Sequence, residues 1–289
     1  MHAMPSGFWE QVVADGLKVP QDRSLVEMTE DLTRMLGDPD PEVRDGIAFP
    51  TMATWIDDGV YDDLLVGLGD GMCHGLDIGL GEIESDTVFR RSFSALILTE
   101  CIDRTTKAAL GGPNVVLRWG DRVMSWYARE RDLRGFVPGK GWAHAVAHGA
   151  DALGALARSP VLGRLELTVI LDVIADRLLM PTDAFFVCGE GDRLAFATMH
   201  LLRRDILGID VLEPWVARLA AGAVGRGSVD RNPYLVSGNV QSYLRSLHLQ
   251  LALNAASAGH PAVRSDLLLV LTDTLRTTNP AYFPPARGH

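Results

Sequence analysis

Asp40-Pro41-Glu42-Val43-Arg44 reads as the opening of a helix, with a capping carboxylate, a proline in the first turn and an amphipathic run behind it. Similar phrases recur at Ser85-Asp86-Thr87-Val88-Phe89-Arg90, Glu213-Pro214-Trp215-Val216-Ala217-Arg218 and His260-Pro261-Ala262-Val263-Arg264. The first two phrases start about 45 residues apart and the last two about 47, close to the length of a HEAT or armadillo-type helix pair. Between the phrases, apolar residues return three and four positions apart, and strand-like alternation is almost absent. The expected fold is all-α: a HEAT/armadillo-like α–α superhelix, or solenoid, of ten to fourteen helices in antiparallel pairs, wound right-handed.

A further helix start at Ser159-Pro160-Val161 leaves a longer gap after Ser85 than one repeat needs. The surplus holds Arg131-Asp132-Leu133-Arg134-Gly135-Phe136-Val137-Pro138-Gly139-Lys140-Gly141-Trp142, and an insertion of this kind in a solenoid usually lies on the binding face. The expected organisation is an N-terminal segment over 1–22 with a short helix at Phe8–Leu17, one solenoid domain over 23–276, and a tail over 277–289 that exposes Tyr282 and Phe283.

Composition narrows the function classes. With 27 Lys and Arg against 37 Asp and Glu, the 289-residue chain carries a net charge of −10, which argues against binding to nucleic-acid backbones. No apolar run is long enough to span a membrane, and Met-His-Ala-Met-Pro-Ser has no signal-peptide pattern. Cys73, Cys101 and Cys188 are odd in number and far apart, as expected of reduced thiols in a cytoplasmic protein.

The chemistry gathers in Gly139-Lys140-Gly141-Trp142-Ala143-His144-Ala145-Val146-Ala147-His148-Gly149-Ala150-Asp151. On a helix, His144, His148 and Asp151 share a stripe about 60° wide. Trp142 falls on the opposite side with Val146, Leu153 and Leu156, which places it mostly in the core, beneath the site. Small residues beside the stripe, Ala143 and Ala147, favour a groove wall over open solvent. The three polar side chains can ligate Zn²⁺ or Fe²⁺, can form an Asp-oriented general base, or can serve packing alone. The zincin pattern is not met, because no Glu follows His144.

Lys140, between two glycines ahead of the helix, offers an anion contact, and the ligand-lining set is completed by Trp142 with Gln241 and Arg245 from a polar stripe on a later helix. Arg90-Arg91-Ser92-Phe93-Ser94 can supply another anion contact.

Trp126-Tyr127-x-x-Glu130, Asp132-Leu133-Arg134-Gly135-Phe136 and the Lys140–Asp151 block resemble a bacterial family of about this length that is known only as a domain of unknown function. The Arg90–Ser94 segment and Asn239-Val240 through Leu247 are similar too, and the Lys140–Asp151 block is the specific part. The resemblance implies a helical-repeat protein in which Trp142, His144, His148 and Asp151 act as a unit, and it brings no reaction, cofactor or substrate.

Two roles remain. One is a small-ligand binder or an enzyme of hydrolytic or acid–base type, with His144, His148 and Asp151 in a concave groove and a small anionic ligand. The other is a HEAT-like scaffold that holds a protein or peptide without catalysis.

Overall fold

The computed structural model describes residues 7–224, 232, 234–253 and 259–284. Contacts divide the chain into two compact units, Met1–Val161 and Leu162–His289. The protein is mostly helical, with twelve helices longer than a single turn among the described residues.

The first unit begins with α1 (Phe8–Ala14), α2 (Leu25–Met35) and α3 (Pro41–Val43), where the Asp40 carboxylate caps the chain by accepting from the Glu42 amide at 2.9 Å. A π-helical turn, Arg44–Ala48, then runs into α4 (Phe49–Asp57). The N-terminal segment is part of this unit: Trp9 and Val12 are buried, and the Trp9 indole donates to Asp31 at 2.7 Å. There follow α5 (Leu65–Gly75), α6 (Thr87–Ala108), α7 (Pro113–Arg129), a two-stranded hairpin of β1 (Phe136–Val137) and β2 (Gly141–Trp142), and α8 (Ala145–Arg158).

Helices two apart in the sequence lie side by side in this unit. α6 touches both α4 and α8, α5 touches α7, and α5, α7 and α8 also meet their sequence neighbours. That makes two layers, with α6 packed by four helices. Its burial follows: Val88, Phe89, Phe93, Ile97, Leu98 and Ile102 are all enclosed, together with Arg91, Ser92 and Ser94.

Such a buried arginine must be compensated. Arg91 Nε donates to Glu130 Oε2 at 2.5 Å and Nη2 to Oε1 at 3.0 Å, both side chains being essentially inaccessible. Arg91 Nη1 donates to the carbonyls of Ile78 and Gly79, and Glu130 also accepts from the Trp126 indole and the amides of Arg131 and Asp132. One ion pair thus ties the α5–α6 loop and the end of α7 to the segment leading into the hairpin.

The second unit comprises α9 (Arg164–Leu179), α10 (Glu190–Leu202), α11 (Ile209–Ala223), α12 (Tyr234–Leu253) and α13 (Arg264–Thr277). The same alternation holds there: α9 meets α11, α11 meets α13, and α10 meets α12. Pro214, read from sequence as a helix opening, lies inside α11, which begins at Ile209 behind Gly208. At the C-terminus Tyr282 and Phe283 are exposed; residues 285–289 lie outside the described residues. All three cysteines are free, and burial pushes the Cys73 thiol up to about 12.

Candidate functional site

The segment expected to form one long helix from Trp142 onward is a hairpin followed by a helix. Pro138, Gly139 and Lys140 turn the chain between paired Val137 and Gly141, and Phe136 faces Trp142 across the ladder. Gly139 and Gly141 hold φ of +76° and +75°, backbone that suits glycine. Gly141 is needed for room as well, since a Cβ there would sit 3.0 Å from Pro41 Cβ and 3.2 Å from Arg44 Nη2.

The hairpin is anchored on three sides. Arg134 pairs with Asp132 through two hydrogen bonds and donates to the Ser85 carbonyl at 2.9 Å. Arg44 Nη2 donates to the Lys140 carbonyl at 2.7 Å. Lys140 Nζ pairs with both oxygens of Asp86 at 2.6 and 2.7 Å, both side chains being partly exposed.

His144 is the residue before α8 and holds φ +52°, ψ +31°. Its amide donates to the Arg134 carbonyl at 3.1 Å and its carbonyl accepts from His148 at 2.8 Å, closing the first turn. A left-handed conformation costs a non-glycine residue about 1 kcal/mol. The imidazole stacks flat on Trp142, with centroids 4.3 Å apart and planes 5° apart, and lies 5.6 Å from the His148 ring. His148 meets the edge of Phe93 at 5.0 Å. Behind them Arg44, fully buried, lays its guanidinium 4.1 Å above Phe89 and 5.0 Å from Phe93 and pairs with Asp45 at 2.7 Å. Burial pushes the Asp45 carboxyl above its ordinary range, with Arg44 opposing the shift.

Three expectations change here. Trp142 is 41% exposed and forms an outer wall with Phe136, 54% exposed and 5.0 Å away, because it lies on a strand ahead of the helix whose core face was extrapolated back to it. Truncating Trp142 to alanine should therefore cost about 1–2 kcal/mol in denaturant unfolding, short of the 3–5 kcal/mol of a buried tryptophan. The histidine stripe does not point away from the core: His144 and His148 are only 8% and 5% exposed. α8 is enclosed along most of its length apart from Asp151 and Arg158, because its alanines, read as a groove wall, let α6 and α7 pack closely.

Among the described residues no three His, Cys, Asp or Glu side chains group to hold a metal ion. His144 is left-handed and stands ahead of α8, so the stripe drawn for an unbroken helix through His144, His148 and Asp151 does not apply to it. Histidine acid–base chemistry is untouched by this.

The structure thus brings Trp142, His144 and His148 together and adds Phe136, Phe93 and Arg44, which sequence reasoning missed. Phe89 and Phe93 stand four apart on α6, a spacing that signals one shared face. Gln241 and Arg245 belong to the second unit, where Gln241 donates to the Thr278 carbonyl and accepts from Asn279, and Arg245 donates to Asn279 Oδ1 at 3.2 Å. Both hold the turn after α13.

A family model described as a protein of unknown function (DUF2785) matches residues 76–249, more than half of the chain and including the whole hairpin and α8. No curated protein and no solved structure matches the chain.

Proposed function

We propose, starting from the fact that the chain belongs to the DUF2785 family, that it binds a small anionic ligand against Trp142 and His144. On this reading it is a ligand-binding protein or an enzyme of acid–base or hydrolytic type. The observation that carries the reading is His144: a histidine held at φ +52°, with its imidazole stacked under an exposed indole and a second imidazole behind it. Glycine or asparagine would take that backbone at less cost, so a histidine at this position points to a use for its side chain. With Lys140 neutralised by Asp86, the imidazoles are the groups that would meet the anion and exchange protons with it. Asp151, three residues beyond His148, completes the acid–base set.

The alternation of contacts within each unit, helix with next-but-one helix, supports a HEAT-like stacking of helix pairs. Among the described residues no helix is long and apolar enough to cross a membrane; a cytoplasmic location is part of the proposal, on the strength of the free cysteines. A scaffold role draws on one feature, the exposed pair of Phe136 and Trp142, which suits a protein or peptide partner.

Thermal-shift screening against phosphate- and carboxylate-bearing metabolites tests the reading. His144→Asn keeps the left-handed backbone and removes the imidazole, and should weaken any ligand found by at least about tenfold, near 1.4 kcal/mol. Ligands held equally by His144→Asn and Trp142→Ala would sink the site. A stoichiometric protein partner lost on Trp142→Ala, with no small ligand, would establish the scaffold.

A further inference from the structure

Arg90 lies on the stripe of α6 that faces α5, roughly 100° round the helix from Phe89 and about 60° from Phe93. Several other basic side chains of the first unit are matched with carboxylates: Arg34 with Asp31, Arg44 with Asp45, Arg91 with Glu130, Arg122 with Asp77, Lys140 with Asp86. Arg90 differs. Its side chain is half-buried, its Nε is enclosed without a hydrogen-bond partner, and burial pulls its pKa down to about 10 with no neighbouring charge to offset it. One turn on, the fully buried Ser94 hydroxyl also has no partner.

Both side chains lie against a glycine. A Cβ at Gly75 would stand 2.1 Å from Ser94 Oγ and 3.0 Å from Arg90 Nε, and a Cβ at Gly37 would stand 3.1 Å from Arg90 Cβ. The C-terminal ends of α2 and α5 flank the arginine, and their dipoles favour a cation there. They hold the charge in place and supply no counter-ion.

We infer that Arg90 and Ser94 form the donor side of an oxyanion site, separate from the Trp142–His144 cluster, that takes a phosphate or a carboxylate. The guanidinium supplies charge-assisted donors suited to a planar or tetrahedral oxyanion, and the serine hydroxyl supplies a neutral one. In a chain with ten more acidic than basic groups, an unmatched half-buried arginine is the place where an external anion is needed.

Calorimetric titration of the full chain with inorganic phosphate and with succinate, at constant ionic strength in potassium chloride, tests this. One of the two should bind saturably to the wild type; which one distinguishes a phosphate from a carboxylate ligand. Arg90→Gln should weaken that binding at least about tenfold, Ser94→Ala should weaken it less, and Arg118→Gln, which removes an exposed partner of Asp70, should leave it unchanged. In buffer without either anion, Arg90→Gln should melt at or above the wild type, because it removes an uncompensated charge. Binding of neither anion, binding undiminished in Arg90→Gln, or a variant that melts several degrees lower or fails to fold would overturn the inference, the last by showing that the arginine is structural.

Discussion

Glu130→Gln should destabilise the protein by about 3–5 kcal/mol, the range for removing one member of a buried ion pair. Arg91 and Glu130 are 0% and 1% exposed, so water cannot replace the lost charge. The substituted amide still offers one acceptor, yet its NH₂ group would oppose the guanidinium, and the carboxylate that now accepts from Arg91, Trp126, Arg131 and Asp132 would be gone. Because that carboxylate fixes the entry to the hairpin, the proposed ligand-binding wall at Trp142 should loosen with it. Replacing both partners, Arg91→Met with Glu130→Leu, should recover part of the loss. Recovery stays incomplete because Arg91 also serves the carbonyls of Ile78 and Gly79. Urea unfolding of the two variants measures this, and a loss under about 1 kcal/mol in Glu130→Gln would mean that the pair is hydrated in solution.

The helices were legible in the sequence because their signals are local. Asp40 and Pro41 mark the start of α3, and Ser85 and Asp86 stand just ahead of α6. The α7 and α8 runs are amphipathic or apolar over several turns. The entry to the site was misread for an equally local reason. A helical wheel drawn from His148 back through Trp142 assumes unbroken helix, whereas His144 turns left-handed and Ala143 donates to the Gly135 carbonyl at 2.8 Å. Pro138-Gly139 and Gly141 were available as turn signals, and Phe136-Val137 ahead of them as a short strand. Nothing in the sequence marks the π-helical turn at Arg44–Ala48, which carries the buried arginine against Phe89 and Phe93. Such turns are set by what packs on them, and they recur at functional sites. Nor does the spacing of Lys140 reveal its tie to Asp86, a contact 54 residues distant.

Gly149→Ala should cost about 1–3 kcal/mol, although alanine is the better helix former. The added Cβ would stand 2.2 Å from Tyr127 Cε2, 2.3 Å from Tyr127 Cδ2 and 3.2 Å from Trp126 Cζ3. Tyr127 cannot swing away freely: it is 1% exposed and its hydroxyl donates to the Val146 carbonyl at 3.0 Å. Overpacking of this kind costs about 1–3 kcal/mol, and losing the tyrosine hydrogen bond adds about 1 kcal/mol. The gain in helix propensity returns roughly 1 kcal/mol. Gly67, in α5, provides the contrast, since a Cβ there meets nothing within 4 Å, and Gly67→Ala should stabilise by up to about 1 kcal/mol. Combining Gly149→Ala with Tyr127→Leu should destabilise by less than the sum of the two, because the leucine lacks the ring edge that the methyl strikes. A melting temperature for Gly149→Ala equal to the wild type would show that α7 and α8 separate at little cost. The glycine directly after His148 would then belong with the ligand site. On the observed packing it belongs with the helix contact, and the proposed chemistry of the His144–Asp151 block rests on the two imidazoles and the carboxylate.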